Sequence, residues 1–338
     1  MRAVVTGCAG FIGSTLVERL LADGADVVGV DDFSDYYSVA RKRANMAAAR
    51  DHDRFHLVEA DLAEDDLASV VDGADVVFHQ AGQPGVRASW DQFTTYVHDN
   101  LTATQRLLDA CLGADVARVV YASSSSIYGD AEDFPTLETA VPAPRSPYGV
   151  TKLAAEHLCG LYAANFGLST VSLRYFTVFG PRQRPDMAMH RLIAAALDGT
   201  PFPLFGDGSQ VRDFTFVDDI VEANLLAAAS TTVEPGTVMN ISGGGSCSLA
   251  WVIETVEELV GAPIHLDRRP SHTGDVQRTG GSTERAAEVL GWQPAVDVAA
   301  GLERQVAWQR ALHQPMQGAV LSLPRRPAST RQRVQRAG

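Results

Sequence analysis

The chain has 338 residues, 46% apolar and 20% charged, with 29 Gly and 16 Pro. That globular mixture excludes disorder throughout, collagen-like and coiled-coil architectures, and a formal net charge of −13 excludes nucleic acid as the main partner. No apolar stretch approaches the roughly 20 residues of a membrane span, and Cys8, Cys111, Cys159 and Cys247 stand far apart with no C-x-x-C pair, so no disulfide framework or metal site is indicated and the chain reads as cytoplasmic.

The first predicted strand, Arg2–Thr6, reads as a strand entering a loop, not as a signal peptide. It runs into Gly7-Cys8-Ala9-Gly10-Phe11-Ile12-Gly13 and a helical pattern over residues 14–21. Glycines let the backbone turn sharply and approach a pyrophosphate, and the helix N-terminus offers free N–H groups and the positive end of its dipole. Cys8 reads as a small residue that fits this loop. The second strand, residues 26–30, ends in Asp31-Asp32, where an acid accepts the adenosine ribose hydroxyls. With an acid there and no Arg immediately after it, the expected cofactor is NAD, not NADP.

Further strands are predicted at residues 55–60, 76–79 and 116–121, with a helical pattern over 102–111. Strands alternating with helices give βαβ units, hence an α/β fold with a Rossmann-type, doubly wound parallel sheet. Such sheets bind ligands at the carboxyl ends of their strands. The serine run 123–126 falls at one of those ends.

Ser146-Pro147-Tyr148-Gly149-Val150-Thr151-Lys152 then opens a helix after Pro147, with Tyr148 and Lys152 on one face. A Y-x-x-x-K pair by itself usually means two surface residues. Here Lys152 is one of only two lysines, with Lys42, among 28 basic residues. A phenol of pKa about 10 needs roughly 4 kcal/mol of differential stabilisation to act as a base near pH 7. A neighbouring ammonium and the charge of an oxidised nicotinamide would supply it, and a serine hydroxyl can share the substrate proton.

After about residue 172 Pro and Gly become frequent and the alternation loosens. The expected organisation is an NAD-binding domain over 1–172, completed by 211–244, where a helix (214–228) and a strand (238–242) return. A smaller C-terminal α/β substrate lobe takes 173–210 and 245–314. Residues 315–338, with Arg325, Arg326, Arg331, Arg333 and Arg336 and no acid, read as a solvated, flexible basic tail.

From Met1 to about Arg310 the chain resembles the extended short-chain dehydrogenase/reductases, specifically the nucleotide-sugar epimerases and dehydratases. Besides the glycine loop and Tyr148/Lys152, the resemblance rests on several segments. Asp61-Leu62 meets the adenine in the family, while His79-Gln80-Ala81-Gly82, Asn100 and Arg174-Tyr175-Phe176 line the cofactor site. Val211-Arg212-Asp213-Phe214 matches the segment whose arginine holds the diphosphate. Considered alone, His79 reads as a packed histidine and Arg212 equally as a surface ion-pair partner.

The resemblance also narrows the reaction. Ser124, Ser125 and Ser126 stand where 4,6-dehydratases carry Thr-Asp-Glu, so no carboxylate is available there for elimination, which leaves hydride transfer out and back: epimerisation. Residues 177–188, together with Gln83-Pro84-Gly85-Val86-Arg87 and Asp35-Tyr36-Tyr37, are similar to UDP-glucuronate 4-epimerases. A charge-assisted fork from Arg184, with hydroxyls from Ser125, Ser126 and Thr177, suits a carboxylate; the alternative for Arg184 is a surface or interlobe ion pair. Arg87, Arg212 and Asp275 complete the expected substrate set. Departures are the missing second diphosphate arginine before Gly274-Asp275, Phe179 in place of Tyr, and Gln183 in place of Gly.

The expected enzyme is an NAD-dependent homodimer acting on a UDP-sugar and interconverting UDP-glucuronate and UDP-galacturonate, with no membrane partner. A UDP-glucose/UDP-galactose 4-epimerase and a catalytically silent NAD-sensing protein are the alternatives.

Overall fold

The computed structural model describes residues 1–243, 245–270 and 277–313; the expected basic tail and Asp275 lie outside them. Seven parallel strands form the central sheet. In chain order they are β1 (Arg2–Thr6), β2 (Asp26–Asp31), β3 (Phe55–Glu59), β4 (Val76–His79), β5 (Arg118–Ser124), β6 (Thr170–Tyr175) and a last strand, Thr237–Ile241. Across the sheet the order is Thr237–Ile241, β6, β5, β4, β1, β2, β3. The chain therefore reverses direction beside β1, which opens a crevice at the carboxyl ends.

Alternation along the strands builds two cores. Ala3 and Val5 of β1 join Val120, Val171 and Leu173 on one face, whereas Val4 joins Val28, Val77 and Val119 on the other. Both faces are apolar because helices cover both, as an all-parallel sheet requires. The helix Phe11–Ala22 contributes Leu16, Val17 and Leu20 to the first core, and Ala103–Gly113 contributes Leu107 and Leu108 to the second.

The helix Pro147–Phe166 starts as its sequence dictates. Ser146 Oγ accepts the Gly149 N–H at 3.1 Å, Pro147 occupies the first turn, and Gly167 ends it at φ +74°.

Beyond β6 the chain crosses to a smaller layer. Phe202–Phe205 pairs with Leu266–Arg269, Val211–Asp213 with Ser246–Ser248, and Val178–Phe179 with Thr215–Phe216. Where one helix over 214–228 was expected, a short strand precedes the helix Val217–Ala229. Trp292, fully buried, donates its indole N–H to the Asp219 carbonyl at 2.9 Å, and the Asp219 carboxylate accepts Ala295 and Val296 N–H. Among the described residues no helix is long and apolar enough to cross a membrane, and no three His, Cys, Asp or Glu converge as metal ligands.

Candidate active site

A cleft opens at the carboxyl ends of β1, β2, β4 and β5, and the glycine loop forms its floor. Gly7 adopts φ +66°, and a Cβ there would stand 2.8 Å from the Ala81 backbone; a Cβ on Gly13 would stand 2.1 Å from the Gly7 carbonyl. Side chains at either position would close the space over the first turn of the helix Phe11–Ala22, whose N-cap, Gly10, brings no side chain to its free N–H groups. That cradle fits a pyrophosphate.

The Asp31-Asp32 pair divides its work. Asp31 is buried, and its carboxylate accepts the Ala9 and Phe33 N–H groups at 3.0 and 2.9 Å. Burial pushes its pKa up, while Lys42, 3.4 Å away, works against this. Asp32 is the more exposed acid and lies 3.8 Å from the same ammonium. Asp31 thus sets the shape of the loop and Asp32 presents oxygen to the cleft. The sequence reading did not place Lys42 here; its signal was its rarity. Towards the far end of the cleft, Asp61 and Leu62 share the wall with Asp99, which is hydrogen-bonded to His98 at 2.7 Å.

His79 is a packed residue. Its Nδ1 lies 2.8 Å from Thr6 Oγ1, which accepts the Ala81 N–H, and its Nε2 lies 2.8 Å from Thr104 Oγ1, which donates to the Asn100 carbonyl. Burial lowers its pKa to about 3, so the ring is neutral and both neighbours' hydroxyls are satisfied. Asn100 stands on a π-helical turn, Val97–Thr102, and its amide clamps Gln83 N–H (2.7 Å), Gln83 C=O (3.1 Å) and Thr151 Oγ1 (3.1 Å). Gln80, Tyr175 and Asn224 form a hydrogen-bonded group on the opposite wall.

Tyr148 and Lys152 lie between these walls. Tyr148 lines the cleft with its phenol hydrogen-bonded to Ser124 and its ring 6.2 Å from Tyr96, edge on. Lys152 is buried, with its ammonium 4.4 Å over the Tyr121 ring, and burial lowers its pKa to about 8. Burial also raises the Tyr148 phenol above its ordinary value, against the Ser124 hydrogen bond and the Arg184 charge.

Arg184 reaches the same cleft from the smaller layer. Its Nε and Nη2 each lie 3.0 Å from the two Asp186 oxygens, and Asp186 also accepts the Tyr36 hydroxyl at 3.3 Å. The ion pair and the cleft position are thus both realised.

The cleft brings together Gly7, Gly10, Phe11, Ile12, Gly13, Asp31, Asp32, Asp61, Leu62, Gln80, Ala81, Gly82, Asn100, Tyr148, Lys152, Tyr175 and Arg184. Ser125 and Ser126 sit beside it on the turn Ser125–Ile127, directly after Ser124. Thr177 is half-buried at the start of the segment that carries Arg184. Phe176 instead packs with Ile127 and Tyr128. Arg174 is a correction: it was expected at the cofactor, and it is buried in a two-pronged ion pair with Glu156. The guanidinium of Arg87 lies 5.1 Å over the Phe205 ring and that of Arg269 5.9 Å, while Arg212 donates to the Val211 and Gln277 carbonyls. Phe205 and Arg269 were not read from the sequence, and nothing in their local pattern distinguishes them; Tyr36 and Asp186 fall in the segments 35–37 and 177–188, where no individual role was read for them.

A profile of the NAD dependent epimerase/dehydratase family matches residues 3–242. The chain is 40% identical to the uncharacterized UDP-glucose epimerase YtcB of Bacillus subtilis, over 93% of this chain and 99% of that protein. It is 35% identical to the UDP-glucuronate 4-epimerase of Thermodesulfobacterium geofontis, over 91% and 95%. The crystal structure of UDP-glucuronic acid 4-epimerase from Bacillus cereus, in complex with UDP-glucuronic acid and NAD, superposes with a TM-score of 0.89 at 39% identity, covering 93% of this chain and all of that one.

Proposed function

The chain belongs to the NAD dependent epimerase/dehydratase family, and on that premise we propose that it is a 4-epimerase interconverting UDP-glucuronate and UDP-galacturonate. The observation that carries the sugar assignment is Arg184: a guanidinium from the substrate side enters the cleft close enough to Tyr148 for its charge to act on the phenol. A neutral hexose has no use for it.

The glycine cradle, Asp32 and Lys42 hold the NAD, which supplies the hydride acceptor and donor for C4 of the sugar. Tyr148 Oη takes the C4 hydroxyl proton and later returns it, with Ser124 Oγ sharing it and the Lys152 ammonium favouring the phenolate. Arg87, stacked on Phe205, and Arg212, whose strand pairs with Ser246–Ser248, bind the diphosphate against the smaller layer, so the sugar turns while its nucleotide stays anchored. Between the two proton transfers the sugar is a 4-keto uronate, a β-keto acid that loses carbon dioxide when its carboxylate rotates freely. Arg184, Ser125, Ser126 and Thr177 hold that carboxylate still.

The Asp186 pair favours a second reading, in which Arg184 only clasps the loop and the enzyme is a UDP-glucose/UDP-galactose 4-epimerase. Incubating the protein as purified with UDP-glucuronate and, separately, UDP-glucose decides between them. Conversion of the uronate to its 4-epimer without carbon dioxide supports the first reading. Conversion of UDP-glucose alone supports the second, and bound NAD with no turnover of either leaves a nucleotide-binding protein.

Homodimerisation is part of the proposal. Val150 and Leu161 are exposed three turns apart on one face of the helix Pro147–Phe166, near exposed Trp90 and Phe93, and such a surface suits a helical interface. Light scattering on the eluting protein should give twice the chain mass.

A further inference from the structure

Glu156 does not line the cleft, yet it stands directly behind the reacting groups. It follows Lys152 by four positions and Tyr148 by eight on the helix Pro147–Phe166, so the three share a face. Its buried carboxylate accepts Ser123 Oγ at 2.6 Å, Arg174 Nε at 3.0 Å and Arg174 Nη2 at 2.6 Å. Arg174 Nη1 donates onward to Tyr128 Oη at 2.5 Å, and Tyr128 donates to Asn240 Oδ1 at 2.7 Å. One chain of bonds thus ties the catalytic helix to the end of β5, to β6 and to the last strand of the sheet.

Stability alone is a weak reason for such a group. Apolar residues of similar volume replace buried ion pairs at little cost, and often with gain. What this pair adds is placement. The bond from Ser123 fixes β5 one residue before Ser124, whose hydroxyl holds the Tyr148 phenol.

Lys152 is faced by Glu156 and Cys159 from its own helix, one turn beyond Tyr148, by the Tyr121 ring from β5 and by His79 from β4. Tyr148 in turn is faced by Ser124, Arg184, Tyr96 and Tyr121. The Cys159 thiol is pushed up to about 12 and His79 down to about 3, so both are neutral near pH 7.

We infer that Glu156 is a positioning residue: anchored by Arg174, it holds Ser123 and so fixes the Ser124 end of β5 against Tyr148. The inference rests on Tyr148 being the acid–base of the proposed reaction. Without that anchor Ser124 shifts from the phenol, and a phenol that loses a hydrogen bond favouring its charged form titrates at higher pH.

The test uses the NAD-loaded protein. The Tyr148 phenol is titrated by tyrosinate absorbance as the difference between each protein and its Tyr148→Phe counterpart. Glu156→Gln should move that midpoint, and the acid limb of kcat/KM, up by about one pH unit. It should lower kcat roughly tenfold with KM for the UDP-sugar little changed, and Glu156→Asp should restore part of both. Ser123→Ala cuts the same bond while keeping both charges, so it should lower kcat and move the midpoint in the same direction.

If Glu156→Gln fails to fold because Arg174 is left unpaired, the double variant Glu156→Gln/Arg174→Gln removes both charges, and the same upward movement is expected. A folded variant with an unmoved midpoint and acid limb, beside an active wild type, overturns the inference alone. A wild type that turns over no UDP-sugar while Glu156→Gln still moves the midpoint overturns the reaction and keeps the inference.

Discussion

Replacing Arg184 by Gln separates a substrate-binding fork from a loop clasp. In the structure the fork is already engaged, with two N–H groups 3.0 Å from Asp186. That pair is partly solvated, its side chains 20% and 37% exposed, so it contributes only about 1 kcal/mol. A substrate carboxylate shielded in the cleft would gain two charge-assisted hydrogen bonds of about 1.5–3 kcal/mol each. Subtracting the exchange with Asp186, and the neutral hydrogen bond that Gln retains, leaves about 1–4 kcal/mol. At 1.36 kcal/mol per decade, kcat/KM for UDP-glucuronate should fall roughly 5- to 1000-fold.

UDP-glucose turnover, where present, should change by less than about threefold, because no carboxylate is lost from that complex. The residual reaction on the uronate should also leak carbon dioxide, since the 4-keto acid is then held by neutral hydrogen bonds alone. Chromatography of the nucleotide sugars, with headspace carbon dioxide measured in parallel, reads all three quantities. Equal losses on both sugars would show that Arg184 and Asp186 clasp the segment against Tyr36 and that the charge of the sugar is read elsewhere.

Other outcomes follow from the same geometry. Gly13→Ala drives a Cβ to 2.1 Å from the Gly7 carbonyl; NAD content after purification should fall to near zero, with a destabilisation of about 1–3 kcal/mol in urea titrations. Tyr148→Phe should lower kcat about 10²- to 10⁴-fold while the Kd for the UDP-sugar stays within a few-fold, since the phenol moves a proton and does not anchor the nucleotide. His79 stays neutral down to about pH 3 when folded but takes a proton below about 6.5 when unfolded. Stability should therefore be full above pH 6.5 and decline by about 1 kcal/mol per unit as pH falls below it. His79→Gln should flatten that slope between pH 6 and 4.5, and an unchanged slope would move the acid sensitivity elsewhere.

The sheet and the glycine loop were legible because their causes are local: β-branched runs of strand length, and glycines where a Cβ has no room. The Tyr148/Lys152 pair was legible because helical spacing puts both on one face. Arg174 and Tyr175 were read together as cofactor residues, but neighbours on a strand face opposite sides. Tyr175 reaches Gln80 in the cleft, while Arg174 turns to Glu156. Gln183, which departs from the family pattern, is explained only by a distant helix. Its amide donates to the Val178 carbonyl and accepts from Gln305 at 2.8 Å. Lys42 is likewise a tertiary fact, meeting Asp31 through packing that no local pattern encodes, whereas Asp186 meets Arg184 two residues away.

Burial raises the Tyr148 phenol, yet the reaction needs a phenolate, and the two demands set the order of events in the cleft. Ser124 and Arg184 offset the burial only in part, and the ammonium of Lys152 is itself lowered to about 8 by burial. The protein's own groups therefore leave the phenol protonated at neutral pH, and further positive charge has to enter the cleft before Tyr148 can take a proton. In the proposed reaction the segment carrying Arg184 meets the sugar and the glycine cradle the dinucleotide. On that reading the base forms only when the cofactor occupies its half of the cleft. A phenolate made in the empty site would have no acceptor for the second half of the reaction; by coupling the two, the buried Tyr148–Lys152 face keeps proton transfer and hydride transfer in one complex.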